Sequence, residues 1–157
     1  MAVRIGQKAP QFYLPDSDGN QVCLKDYSGL WAILYFYPKD NTPGCTLEAV
    51  QFSRYADELK KMGAAVLAVS PDSPRSHCRF RDRHDLRLTL LSDEKHDVLE
   101  LYGAWTLKRM AGREYHGVQR STFLVNPDGE VVRIWPEVKV KGHAEEVVKV
   151  LKSLLGQ

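Results

Sequence analysis

Trp31-Ala32-Ile33-Leu34-Tyr35-Phe36-Tyr37, followed by Pro38-Lys39-Asp40-Asn41-Thr42-Pro43-Gly44-Cys45, runs from an apolar stretch through a turn-forming loop toward a helix. The first seven residues are apolar at odd and even positions alike, so a strand made of them must be covered on both faces. Ala64-Ala65-Val66-Leu67-Ala68-Val69 reads the same way. Between the two, residues 43–62 predict a helix. Leu47, Val50, Leu59 and Met62, with Phe52, Tyr55 and Ala56, fall at three- and four-residue spacings, and Gly63 supplies a left-handed stop. Strand, helix and strand have the length of one right-handed crossover, roughly 30 residues.

Outward from this unit the elements are short. Phe12–Leu14 and Gln21–Leu24 predict a hairpin around Asp16-Ser17-Asp18-Gly19-Asn20. Asp72-Ser73-Pro74 places a capping residue before a proline at the first helical position, so a second helix starts there. A third helix is expected near Glu94–Tyr102, ending at Gly103. Ser121–Val125 and Glu130–Trp135 predict a hairpin around Asn126-Pro127-Asp128-Gly129. His143–Leu155 closes the chain as a helix with Val147, Val148, Leu151, Leu154 and Leu155 on one face. The order implies an α/β fold, a central mixed sheet flanked by helices. No repeat or linker divides it, so residues 1–157 read as one domain.

Composition excludes several function classes. Of 157 residues, 43% are hydrophobic and 27% charged, the balance of a globular chain rather than a disordered one. The net charge of +2 gives no broad footprint for nucleic acid or an anionic membrane. The longest apolar run, Leu30–Tyr37, is far below the roughly 20 residues that span a bilayer. Met1-Ala2-Val3-Arg4-Ile5-Gly6 lacks the apolar core of a secretory signal. The three cysteines, Cys23, Cys45 and Cys78, form no Cys-x-x-Cys pair. Few cysteines and no signal point to a reducing, cytoplasmic compartment, where a cysteine is either inert or chemically employed.

Cys45 carries the chemistry. Thr42 suits an N-cap and Pro43 the first helical position, which puts Cys45 in the first turn, where free N–H groups and the helix dipole favour a thiolate. A magnitude limits what this explains. Lowering a thiol pKa from ~8.5 to ~6 raises the thiolate fraction at pH 7 about 30-fold. Nucleophilicity falls with pKa, returning about tenfold and leaving a gain of only about threefold. A fast thiol enzyme also needs fixed donors for its transition state. The Thr42 hydroxyl and the first-turn N–H groups are local candidates, and a distant cation would complete the set. A buried, inert Cys45 is the competing reading, since most free cysteines are core fillers.

Pro38, Thr42 and Cys45 together form Pro-x-x-x-Thr-x-x-Cys, which resembles the active-site motif of the peroxiredoxins. Tyr35–Thr46 is similar to one branch of them, the bacterioferritin comigratory protein or PrxQ group. The likeness continues through Gly103-Ala104-Trp105, Lys108, Gly117 and the stretch Arg120–Gly129, and reaches from Gly6 to the last helix. The resemblance implies a thioredoxin-like fold with an N-terminal hairpin extension. It implies a thiol peroxidase that reduces hydrogen peroxide and organic hydroperoxides, draws electrons from a thioredoxin-like donor, and uses no metal or organic cofactor. It implies that Cys45 attacks peroxide, Thr42 donates a hydroxyl hydrogen bond to the peroxide oxygens, Pro38 shields the thiolate, Arg120 pairs with it, and Glu48 orients the site. The branch is often monomeric.

The sequence departs from the branch at Val50, where many members carry a second, resolving cysteine. Cys78, Cys23, another chain or an external thiol must then resolve the sulfenic acid. Cys78 is the better internal candidate. On its helix it lies about 200° from the apolar anchor Phe80, hence partly exposed, with Arg75, Arg79 and Arg81 nearby to favour a thiolate. Some relatives carry the resolving cysteine on this later helix. Cys23, in a short hairpin strand, reads as structural. The arginine-rich run around Cys78 is interleaved with Asp82 and Asp85 and reads as a solvated helix face. Three rivals stay open: a one-cysteine peroxidase recycled by an external thiol, a disulfide reductase opposed by the missing Cys-x-x-Cys, and a binding or chaperone module on the same fold.

Overall fold

The computed structural model describes residues 3–156. Met1, Ala2 and Gln157 lie outside it, so part of the Met1–Gly6 reading falls beyond the described residues. In chain order the elements are β1 (Tyr13–Pro15), β2 (Gln21–Cys23), a 3-10 turn (Leu24–Tyr27), β3 (Trp31–Phe36), α1 (Pro43–Arg54), α2 (Ala56–Lys61) and β4 (Ala64–Ser70). Then follow α3 (Pro74–His84), β5 (Thr89–Ser92), α4 (Asp97–Leu101), β6 (Trp105–Met110), β7 (Arg113–Val118), β8 (Ser121–Val125), β9 (Val131–Trp135) and α5 (His143–Leu154).

A five-stranded mixed sheet runs β5-β4-β3-β8-β9. β3, β4 and β5 are parallel, and β8 and β9 run antiparallel to their neighbours. The two-faced apolar runs are the sheet's central strands, as their composition requires. Their alternation sorts side chains into two cores. Ala32, Leu34, Phe36, Leu67 and Val69 meet the N-terminal hairpin and α4 on one face. Ile33, Tyr35, Val66 and Ala68 meet α1, α2, α3 and α5 on the other, where Cys45, Phe52, Leu59, Phe80 and Val147 are buried. β1 and β2 form the expected hairpin apart from the main sheet. Among the described residues no helix is long and apolar enough to cross a membrane.

Three expectations change. The helix over 43–62 breaks at Tyr55, whose φ of −94° and ψ of 5° close α1 before α2 begins. Spacing is blind to this break: Phe52 and Leu59 are seven apart and share a face in a straight or a bent helix. The buried stripe of α1 is Cys45, Glu48, Ala49 and Phe52, while Leu47 is exposed. A carboxylate therefore occupies a place that the pattern gave to apolar residues. Finally, β5 and the β6–β7 hairpin were not expected. β5 is only four residues long, and the hairpin is too exposed on both faces to alternate clearly.

His143, at the start of α5, fixes that helix against β8. Its Nε2 lies 2.8 Å from Thr122 Oγ1, with Phe52 and Trp135 edge-on to the ring. Burial, opposed by Glu146 and helped by Arg120, pushes its pKa down to about 4. The neutral ring is thus favoured in the folded state, and its contribution to stability is lost as pH falls from about 6.5 toward 4. Urea denaturation at pH 6.5 and 4.5 should show the parent losing on the order of 2 kcal/mol more than His143→Gln. Equal losses in the two proteins would remove His143 from the acid transition.

Candidate active site

The site forms where β3 ends. After Phe36 the chain leaves the sheet through Tyr37 and Pro38, turns at Asn41, and enters α1 at Pro43. Ligands bind at such carboxyl ends of strands in open α/β sheets. Thr42 occupies the N-cap position with extended backbone, and its carbonyl accepts the first helical bond, from Thr46 N–H at 2.9 Å. Its hydroxyl does not cap the helix. It donates instead to the Lys39 carbonyl at 2.9 Å, which braces the loop and leaves the oxygen lone pairs free.

Cys45 is the third residue of α1 and only 1% exposed. Its sulfur accepts a hydrogen bond from Arg120 Nη2 at 3.1 Å. The other arm of the same guanidinium, Nη1, donates to Glu48 Oε1 at 2.5 Å. Arg120 lies between β7 and β8, and its carbonyl accepts from Val138 N–H at 3.0 Å. Gly44 lies against the same group: a Cβ there would stand 3.4 Å from Nη2, in contact with it. One fixed cation therefore holds a buried sulfur and a buried carboxylate at once, a geometry that a planar fork of donors suits and a point charge does not.

Glu48 is 1% exposed, and its second oxygen, Oε2, has no hydrogen-bond partner. Burial raises its pKa to about 7, against the opposing pull of the Arg120 charge and hydrogen bond. The Tyr35 hydroxyl, also buried and unpartnered, belongs to the same region: burial and the nearby charges of Glu48 and Cys45 push its pKa well up. Sequence reading gave no role to Tyr35 or His143. Only the fold brings a central-strand tyrosine and a helix-start histidine into the electrostatic surroundings of Arg120.

The structure thus joins Cys45, Glu48 and Arg120, with Thr42 at the helix entrance. Pro38 is exposed at the outer edge of the loop. Cys78 is partly buried on α3 while Phe80, two residues on, is fully buried, as its helical position predicts. Of the three arginines expected near it, Arg81 reaches the sulfur, at 3.5 Å, while Asp82 lies 3.7 Å away on the opposing side of the charge balance. Cys23 donates its thiol hydrogen to Asp26 at 3.2 Å and opens the 3-10 turn, which fits a structural cysteine. All three thiols are free.

The AhpC/TSA family model matches residues 5–134. Peroxiredoxin Bcp of Bacillus subtilis is 43% identical over 154 residues, covering 98% of each chain. The solved structure of PrxQ from Xylella fastidiosa superposes with a TM-score of 0.94 at 35% identity, covering 99% of both chains. Bacterioferritin comigratory protein of Xanthomonas campestris, whose solved structure concerns alkyl peroxide reduction, superposes with a TM-score of 0.87 at 40% identity over 90% of both chains.

The Glu48 shift has a testable sign. The folded state binds its proton more tightly than the unfolded chain does, so stability falls as pH rises from about 4.5 through about 7. Glu48→Gln keeps an acceptor for Arg120 and removes the ionisation. Denaturant titrations at pH 5 and pH 8 should show the variant gaining on the order of 2 kcal/mol relative to the parent across that window. A constant difference between the two proteins would mean that Glu48 stays ionised throughout.

Proposed function

The chain belongs to the AhpC/TSA family, in its Bcp/PrxQ peroxiredoxin branch, and from that premise we propose that Cys45 is the peroxidatic cysteine of a thiol peroxidase acting on hydrogen peroxide and organic hydroperoxides. The observation that carries this reading is the Arg120 guanidinium donating to the Cys45 sulfur. A charge-assisted donor at that distance favours the thiolate and stays in place as charge moves onto the peroxide.

The Cys45 thiolate attacks one peroxide oxygen. An S–O bond forms, the O–O bond breaks, and the leaving oxygen departs as alcohol or water with a proton. Arg120 stabilises the negative charge passing through the transition state, and Glu48 holds the guanidinium in line. The Thr42 hydroxyl was expected to donate to the peroxide. Its hydrogen is committed to Lys39, so its free lone pairs suit accepting the peroxide O–H. Pro38, on the rim of the loop, is suited to limit water at the sulfur. The chemistry runs on sulfur throughout.

Resolution follows from the chain's own cysteines. With Val50 in α1, Cys78 on α3 is the internal thiol with partial exposure and a cationic neighbour. It attacks the Cys45 sulfenic acid, a disulfide forms and water leaves. A dithiol donor of the thioredoxin kind then reduces the disulfide in the cytoplasm. Bridging requires Cα atoms within about 7 Å; with Cys45 buried in α1 and Cys78 on α3, the reading expects the first turn of α1 to open.

Peptide mapping of the peroxide-treated protein without reductant should yield a Cys45–Cys78 crosslinked peptide. Cys45→Ser should abolish peroxide consumption with the fold intact. Cys78→Ser should keep a normal first turnover, lose donor-linked cycling and over-oxidise more readily. A stable Cys45 sulfenic or sulfinic acid with Cys78 free would assign the protein to one-cysteine chemistry recycled by an external thiol.

A further inference from the structure

Beside the thiol site lies a second buried polar cluster that the peroxide step does not use. Asp40 and His77 are almost wholly buried, and Asp40 Oδ2 stands 2.7 Å from His77 Nδ1. The same oxygen accepts from the Ser76 hydroxyl at 2.8 Å, and Oδ1 accepts from the Tyr37 hydroxyl at 2.5 Å. The Asp40 amide donates to Asp72 Oδ2 at 2.8 Å, which also accepts from Ser70 at 2.7 Å. His77 Nε2 faces the Leu91 carbonyl of β5 at 3.0 Å. Both ring nitrogens thus face oxygen atoms of the cluster or of β5. Asp40, Asp72 and His77 stand close enough to suggest a cation site. Their facing atoms are already engaged by Tyr37, Ser76, Ser70 and the Asp40 amide, which favours a closed hydrogen-bonded cluster.

Position gives the cluster its meaning. Asp40 sits at the middle of the loop from Pro38 to Thr42, five residues before Cys45. It precedes Asn41, which turns the chain at a left-handed φ of 61°, a conformation asparagine tolerates better than most residues. Ser76 and His77 lie on α3, directly before Cys78. The cluster therefore fastens the segment leading into one thiol to the helix bearing the other.

We propose that Asp40, Ser76 and His77 are positioning residues, a clasp holding the Cys45 loop closed on α3, and that the strength of the clasp sets the fate of the Cys45 sulfenic acid. This rests on the reading of Cys45 and Cys78 as the reacting pair. While the clasp holds, the sulfenic acid stays in the peroxide pocket. A second peroxide can then oxidise it to sulfinic acid, releasing alcohol or water. When the clasp opens, the first turn of α1 is free to unwind, and the Cys78 thiol condenses with the sulfenic acid to give disulfide and water. The clasp thus acts on partition through the loop and touches no reacting atom.

Two variants loosen it without deleting the buried pair. Ser76→Ala removes one hydrogen bond. Asp40→Asn exchanges the carboxyl for an amide of the same shape and still offers hydrogen-bonding groups to His77 and Ser76. Ser76→Thr keeps the hydroxyl and serves as the rescue. With hydrogen peroxide as oxidant and a dithiol reductant present, mass spectrometry should find the sulfinic acid formed per turnover reduced about three- to tenfold in both loosened variants, the scale of one net hydrogen bond. It should stay at the parent value in Ser76→Thr. Hydrogen exchange of the reduced proteins should show residues 40–48 and 74–80 opening faster together, with β3 and β4 unchanged. Parent-like partition and parent-like exchange in the loosened variants overturn the proposal, as does faster exchange in one segment alone. If the parent forms no Cys45–Cys78 disulfide, the Cys78 reading fails separately. The clasp is then upheld by joint opening of the two segments and refuted by independent opening.

Discussion

A buried carboxyl needs a partner of opposite charge, and here it shares that partner with a buried sulfur. Arg120 donates 3.1 Å to the Cys45 sulfur and 2.5 Å to Glu48, all within a nearly closed site. At Glu48 desolvation wins, and the pKa rises to about 7 despite the guanidinium. Near neutral pH the carboxyl therefore titrates rather than standing as a permanent competitor, so a varying share of the Arg120 charge is left to the sulfur. The arginine itself keeps its charge, because Glu48 and Cys45 offset its own burial. Removing it would leave a sulfur and a carboxyl buried without a cation.

The fold exists around that contact. Parallel pairing of β3 with β4 brings the chain out at the sheet's carboxyl edge, where α1 starts, and antiparallel pairing of β3 with β8 brings Arg120 back to the same edge. In register, Phe36 stands opposite Ser121, so the residue before β8 and the loop after β3 are neighbours by strand geometry. α1 then carries Cys45 and Glu48 on one face, a single turn apart, within reach of one side chain. Beneath them Tyr35 stacks on Phe52 at 5.1 Å, which ties the central strand to α1.

How much of this was legible in the chain differs by element. The two-faced apolar runs marked β3 and β4 because total burial leaves a plain signature. The hairpins around Asp16–Asn20 and Asn126–Gly129 announced themselves through turn residues. β5 and the exposed β6–β7 hairpin left no comparable pattern. Within the site, the capped turn pointed to Cys45 from local sequence alone. Arg120 is 75 residues away and became visible only through a motif, since one arginine before a strand is ordinarily a surface residue. Glu48 likewise became visible only through the resemblance: a helix pattern cannot foresee that a cation 72 residues on makes a carboxyl tolerable inside. The Asp40–His77 pair, 37 residues apart, is a long-range contact of the same kind.

The account turns on Arg120 stabilising sulfur and transition state together. The direct measurement is stopped-flow kinetics of the first peroxide turnover in Arg120→Met, which keeps the length of the side chain and removes its charge and donors. The account predicts a rate constant about 10²–10³ lower than the parent's, with the same secondary structure by circular dichroism. A first turnover within a few-fold of the parent rate, in a folded variant, would contradict it.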